Sequence, residues 1–545
     1  MRRRHVQLSI SAVALVAAFL WGGTHHQAES LTRPALAPGA SVEASGAAAF
    51  QGAGFGGISL DALSTNAVPW RLVAAALVLD EQVRDPGAPL DHSTLDRVLA
   101  RFGFLTRATI ANAPPAVVQQ RLDLPLGFTT GDIAPVGGTR VRLVNLGCAA
   151  CHAGVSYAAD GQPQPHRAML GMPNSSIDLE AYTLAVFRAT RRFVDSDRLL
   201  PAANTLFPDM SLSERASLRF LVLPLAKRRL AQLAGVDRPL PFPNGAPGST
   251  NGVAALKAAL GVPLLGDAKD DAGVVSIPDL GDRVWKTSLL ADGTYAVPGT
   301  LRQSVTGPAN LDRAHLRSLA AITTFFTVPS MGVHPDAAVD SLNDATAIMA
   351  FLKSYRPQPV PVAVDPGAAR RGAIVYAASC ASCHGSYGGT ATAPRLARFP
   401  NWIGNVGTDR LRATAFDAAL ATAVGKTVYR DRIAVAIGRG YVAPPLSGTW
   451  ASAPYLHNGS VATLSDLLSP DTRLRRFMVG GHALDFDRVG LRLASNGAYP
   501  QGYRPFSTPA WIDTAAPGRG NQGHRFGETL SPSDKRALLA FLKLL

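Results

Sequence analysis

The sequence predicts a mainly α-helical protein of two tandem domains, with long irregular loops and an N-terminal extension, and three observations carry that expectation. Cys148-Ala149-Ala150-Cys151-His152 and Cys380-Ala381-Ser382-Cys383-His384 repeat one five-residue pattern, and together they use all four cysteines of the 545-residue chain. Ile348-Met349-Ala350-Phe351-Leu352-Lys353 recurs as Leu538-Leu539-Ala540-Phe541-Leu542-Lys543, each copy closing a segment that one of those motifs opens. Between the two segments lies Pro357-Gln358-Pro359-Val360-Pro361, the composition of a stiff linker. Two unrelated amphipathic helices can match by chance, but the shared order relative to both motifs argues for duplication.

Two thiols three residues apart with a histidine directly after the second form the attachment signal of a c-type haem. Each thiol can form a thioether to a haem vinyl group, and the adjacent imidazole can bind the iron. Helical spacing puts both sulfurs on one face. A zinc site is the bland alternative, but the pairs stand far apart in sequence, whereas zinc knuckles sit close together. A thioredoxin-like pair would want a βαβ context that neither motif has, and a disulfide across three residues would leave the histidines unexplained. The expectation is therefore two covalent haem c groups, held by Cys148, Cys151, Cys380 and Cys383, with His152 and His384 as proximal iron ligands.

Taken in order, the chain opens with Arg2-Arg3-Arg4 and an apolar run from Val6 to Trp21, the layout of an export signal. The run is short for a spanning helix, and no clean cleavage site follows, so residues 1–30 are expected to be a signal peptide or an inner-membrane anchor. Residues 31–60, rich in Ala, Gly and Ser, read as a flexible tether, and 67–101 as helical, giving a tether and helical extension over 31–130. The first haem domain is placed at 131–358 and the second at 359–545. In the first, Met169-Leu170-Gly171-Met172 brings soft sulfur atoms near the motif. In the second, Ser531-Pro532-Ser533-Asp534 is a helix start, with Ser at the cap and Pro just inside. In small cytochromes c an aromatic-bearing terminal helix crosses the helix of the haem motif, and the repeat fits two cytochrome c-like units.

Composition limits the partners. Hydrophobic residues at 47% and charged residues at 17% describe a folded protein. The net charge of +14 could attract an acidic redox protein or anionic lipid. No Lys/Arg-rich block with interleaved aromatics occurs, so nucleic acid is not expected.

Function turns on the far side of each iron, because axial ligands set the potential and an open position permits chemistry. His457 stands between Pro444-Pro445 and Asn458-Gly459, on a loop stiff enough to hold a ligand. Met478 competes for the same role, and either residue could equally be an ordinary surface or core side chain.

The stretch Ala453-Pro454-Tyr455-Leu456-His457-Asn458-Gly459-Ser460, downstream of the second motif, resembles the bacterial di-haem cytochrome c peroxidase superfamily. Residues 477–490 and the tail 517–524 resemble its large branch, which includes the di-haem rubber oxygenases. The likeness covers roughly residues 140–545 and is stronger in the second domain. It implies that the first haem meets peroxide or dioxygen while the second stores and relays electrons. It implies that His457 is the distal ligand of the second haem and that a tryptophan, here Trp285, assists electron transfer between the two. It also implies a calcium ion between the domains, although no acidic loop marks a site for one. The distal histidine of a peroxidase would lie soon after the first motif, where only His166 stands, in surroundings that do not match. The leading expectation is an exported, periplasmic or secreted oxidoreductase that reduces peroxide with electrons from a small cytochrome or cupredoxin. The alternatives are an oxygenase acting on an apolar substrate and a pure electron carrier.

Overall fold

The computed structural model describes residues 30–52, 67–119, 124–134, 140–264, 273–330, 333, 335–438 and 440–545. The segment read as a signal or anchor lies outside these. Among the described residues no helix is long and apolar enough to cross a membrane.

The expectation of a mainly α fold is not met. Among the described residues helical turns of all kinds make up 38% and strands 15%, the strands being spread over eight small sheets. The cause lies in the long connections between helices. Buried backbone N–H and C=O groups must find partners, and where a loop runs through the interior the nearest partner is another loop. After the first motif, Ala153–Tyr157 turns back on Pro163–Leu170 in an antiparallel pair. After the second, Ser386–Thr390 pairs with Ala393–Arg398 in the same manner. Phe128–Ile133 and Val141–Leu146 form a further ladder ahead of the first motif.

The duplicated helices each find a partner of one kind. Helix Pro366–Ser379 leads into the second motif and packs on the C-terminal helix Pro532–Leu542, capped by Ser531. At their crossing Gly372 lies so close to Ala537 that any Cβ there would collide with its carbonyl. Four residues on, Tyr376 meets Phe541 with ring centres 5.3 Å apart. The first copy, Leu342–Ser354, packs in the same way on Val42–Gly52. There Gly46 crosses Ala347, again with no room for a Cβ, and Phe50 meets Phe351 at 5.8 Å. The stretch read as a tether is thus, over 42–52, a buried helix packed on Leu342–Ser354. Its small residues serve close helix approach, and they imitate the composition of a linker.

The chain between Gly52 and Cys148 builds one wall of the first domain. Helix Trp70–Arg84 is buried from Trp70 through Leu79, a run too apolar to face water on any side. Phe128 joins Trp70, Phe104 and Tyr182 in an edge-to-face aromatic cluster. Arg71 carries the one charge in that helix's buried stretch. It is tied to Asp209 at 3.0 Å and Glu214 at 3.4 Å, and lies over the ring of Phe207. Helix Leu179–Phe193 packs on the outer side and starts at Asp178, whose carboxylate accepts from the Ala181 N–H.

Candidate haem centres

Both motifs fold as a single helical turn, Cys148–His152 and Ala381–His384, and their four cysteines form no disulfide. Burial holds Cys148 and Cys151 protonated, with pKa pushed up to about 12, and raises Cys380 to about 11.

Each motif histidine is oriented by a backbone carbonyl. His152 Nδ1 lies 3.1 Å from the Pro278 carbonyl, and His384 Nδ1 lies 2.8 Å from that of Pro444. A proline carbonyl accepts the Nδ1 proton, fixes the tautomer, and leaves Nε2 as a lone-pair donor aimed into the cavity. Burial lowers the His152 pKa to about 4 and lowers that of His384, so both rings stay neutral and able to bind a metal. The two acceptor segments are themselves a repeat. Pro278-Asp279-Leu280 and Pro444-Pro445-Leu446 place proline and leucine at matching positions, and both leucines line the cavity. Sequence reading missed this pair, although the shared proline-x-leucine was there to be found.

The two motifs open onto one cavity of about 1500 Å³. Single small-molecule sites usually measure ~300–1,000 Å³, so this one has room for more than one large flat group. Cys148, Cys151, His152, Cys380, Cys383, His384 and His457 all line it, so the structure unites the residues singled out from sequence. Trp285 does not: it is buried in the core of the first domain, its carbonyl bonded by Asn401, while Trp402 faces the cavity. Met478 lies on strand Arg476–Val479 away from the cavity, and Met169 and Met172 pack into the neighbouring core, whereas Met349 lines the cavity wall. His166 is exposed on strand Pro163–Leu170.

The ring that faces His384 is His524, a residue the sequence reading quoted but gave no role. Their ring centres lie 6.2 Å apart. Two metal–nitrogen bonds of about 2.0–2.1 Å, with about 1.2 Å from nitrogen to ring centre at each end, give about 6.4 Å. His524 is held with a positive φ of 46°, its N–H bonded to the Val406 carbonyl and its own carbonyl to Arg473. Its Nδ1 is buried without a partner, and burial drops its pKa to about 4. His457 instead lies flat on Tyr441, ring centres 4.0 Å apart. Its carbonyl accepts from the Ser276 N–H at 2.8 Å, while Asn458 bonds the carbonyls of Gly518 and Gly520. That loop ties the Pro278 segment to the tail bearing His524. Among the described residues no second imidazole faces His152 in the way His524 faces His384.

Charge in the cavity is concentrated near the Pro278 segment. Arg283 is buried with Nε bonded to the Asp279 carbonyl, and Lys286, with Nζ bonded to the Leu290 carbonyl, has its pKa lowered to about 7 by burial and then by Arg283. The wall of the cavity that holds His152 also carries apolar side chains, among them Val186, Phe187, Val194, Leu199 and Phe242. Among the described residues no group of three or more carboxylate, histidine or cysteine side chains converges to hold a separate metal ion such as calcium.

Comparison with known proteins agrees with this chemistry. Residues 440–478 match a family model described as RoxA-like, cytochrome c-like, and residues 367–427 match cytochrome c oxidase, cbb3-type, subunit III. Two proteins of Sinorhizobium fredii, uncharacterized protein y4iJ and uncharacterized protein y4iM, are 31% and 32% identical over 33% and 28% of this chain. The matches span 39% and 40% of those relatives' own length. The two motifs, their matched proline anchors and the two family matches together support a haem-binding electron-transfer protein with covalently attached haem c, similar in its second half to RoxA-like and cbb3-type cytochrome c domains.

Proposed function

We propose that the protein holds two haem c groups with unequal tasks: a reactive one at Cys148, Cys151 and His152, and an electron relay at Cys380, Cys383 and His384. His384 and His524 would hold the second haem between two imidazoles, an arrangement that suits electron storage. His152 would hold the first, and with no second imidazole paired to it among the described residues that site would keep room for a small reactant. When bound, haem c supplies an iron that exchanges electrons and, where a position is open, takes up dioxygen or peroxide.

The reaction we favour is oxygenation of an apolar substrate, and the observation that carries it is the apolar wall of the cavity that holds His152. Val186, Phe187, Val194 and Leu199 would bury hydrocarbon, at ~25 cal/mol per Å², and exclude water from the first site. Reduction of peroxide is the second reading. The resemblance implies it, but His166, the histidine it would want, is exposed outside the cavity. Electrons would pass through the second site from a small redox protein, and Trp402, which lines the cavity, takes the bridging role first assigned to Trp285. Covalent haem c also favours an exported protein.

The test is turnover by purified holoprotein. Oxygen uptake with an emulsified polyisoprenoid or long alkene, yielding cleaved carbonyl products, is the expected result. Peroxide consumption with a reduced small cytochrome, and no uptake with any apolar substrate, would establish the second reading instead.

A further inference from the structure

Residues 212–232 form one helical run on the outer side of the first domain, and its composition is unlike that of the helices around it. Leu212–Ser217 passes through a π-helical turn, Leu218–Val222, into Leu223–Gln232, a stretch that buries none of its ten residues. An inserted π turn is an unfavourable local geometry that is retained mostly at functional places. Two properties coincide on this run. Leu212, Phe220 and Leu225 are 83%, 74% and 52% exposed, a group of large apolar side chains left in water. Arg219, Lys227, Arg228 and Arg229 are exposed among them, Lys227 being paired with Asp195 at 2.9 Å. Only one carboxylate occurs in the run, Glu214, and it is buried against Arg71. Arg219 lies over the ring of Phe220 at 5.5 Å, so cation and aromatic ring are presented together.

The inner side of the same run belongs to the cavity. Leu221, Val222, Leu223, Ala226 and Leu230 line the space that also contains Cys151 and His152. Leu225 both lines that space and stands half in solvent, which places an opening at this helix.

We propose that residues 212–232 are an interfacial docking element, which seats the protein on an anionic phospholipid surface and forms the mouth through which an apolar substrate passes toward the first haem site. A helix whose solvent face interleaves Lys and Arg with Phe and Leu can lie in the headgroup plane, its apolar side chains dipping below the level at which its cations meet the phosphates. Anionic lipid is the occupant that the exposed cations select, because a purely apolar partner would gain nothing from them. The docking surface stands on exposure and charge alone. That the cargo is apolar rests on the oxygenase reading.

The experiment measures partition of the holoprotein onto vesicles made of equal parts phosphatidylglycerol and phosphatidylcholine, against pure phosphatidylcholine. Arg219→Gln with Arg228→Gln should weaken binding to the anionic vesicles by about 25-fold, at about fivefold for each cation at the surface. Phe220→Ser should weaken it about tenfold, the scale of losing one buried aromatic side chain. None of these three side chains lines the cavity, and haem content and the visible spectrum should remain those of the parent. Failure of the parent to bind, equal binding to both vesicles, or variants that bind as well as the parent would overturn the proposal. The last outcome would move the lipid contact to the N-terminal apolar segment. Vesicle binding as described, with no oxygen uptake on any apolar substrate, would leave the docking element standing and remove the oxygenase reading.

Discussion

Replacing His524 by alanine should convert the second haem from low spin to high spin and leave the first unchanged. The 6.2 Å between the ring centres of His384 and His524 supplies the magnitude. Removing about 1.2 Å at each end leaves about 3.8 Å for two metal–nitrogen bonds, about 1.9 Å apiece and close to the ~2.0 Å such bonds require. A separation this close to the bonded one means that the two rings would take an iron between them with little rearrangement, so ligation should be complete and not a minor population. The parent protein should therefore show one low-spin and one high-spin iron by electron paramagnetic resonance. His524→Ala should abolish the low-spin signal, and His524→Met should restore a low-spin iron at a higher potential. His457→Ala should leave the spectrum intact, since its ring lies on Tyr441. A low-spin signal that survives His524→Ala and disappears in His457→Ala would refute the assignment.

Two further expectations concern stability. Gly46→Val would force the helix Val42–Gly52 away from Ala347 and should cost about 3 kcal/mol or more in thermal unfolding, as overpacking does. A residue in a tether would change stability by less than about 0.5 kcal/mol. Asp417→Asn would strand the Lys257 ammonium, whose side chain is 1% exposed and bonded to that carboxylate at 2.7 Å. Breaking such a pair from the exposed side should cost about 3 kcal/mol, whereas Lys257→Met, which removes the buried charge and leaves Asp417 partly solvated, should cost far less. Equal losses in thermal unfolding would show that Lys257 contributes by packing alone.

What the sequence made legible was what chemistry fixes locally. Attachment of haem c dictates the spacing of Cys148, Cys151 and His152 within one helical turn, so the pattern survives without any knowledge of the fold. The repeat of the helix bearing Phe351 and Phe541 was legible for a similar reason, because an amphipathic helix carries its own periodicity. The partner of Phe351 was not. Ala47, Ala48 and Ala49 permit two backbones to touch, and small residues give no signal that separates a tight helix crossing from a loose tether. His524 was hidden differently: a distal ligand comes from a loop remote in sequence, and only the folded chain says which of several histidines arrives opposite His384. His457, flanked by prolines and an Asn-Gly turn, had the more structured neighbourhood, and that rigidity serves the join between Ser276 and the Gly520 tail. The hairpins escaped notice because a short strand of mixed residues such as Pro163–Leu170 owes its pairing to burial and not to propensity.

The crossing of Gly46 with Ala347 has a bearing on the order in which the protein can be made. A chain released from its N-terminus cannot shut the first unit until Ala347 has emerged, and Cys380 follows shortly after. Through most of synthesis Cys148 and Cys151 therefore remain on an open chain, accessible to whatever machinery attaches haem, while their future neighbour helix waits unpaired. The second unit has its Gly372 helix directly ahead of Cys380 and lacks only the final helix at Leu538. Closure of the first unit thus waits for Ala347 and that of the second for Leu538, and a truncation anywhere before Ala347 should yield neither unit, not one of the two.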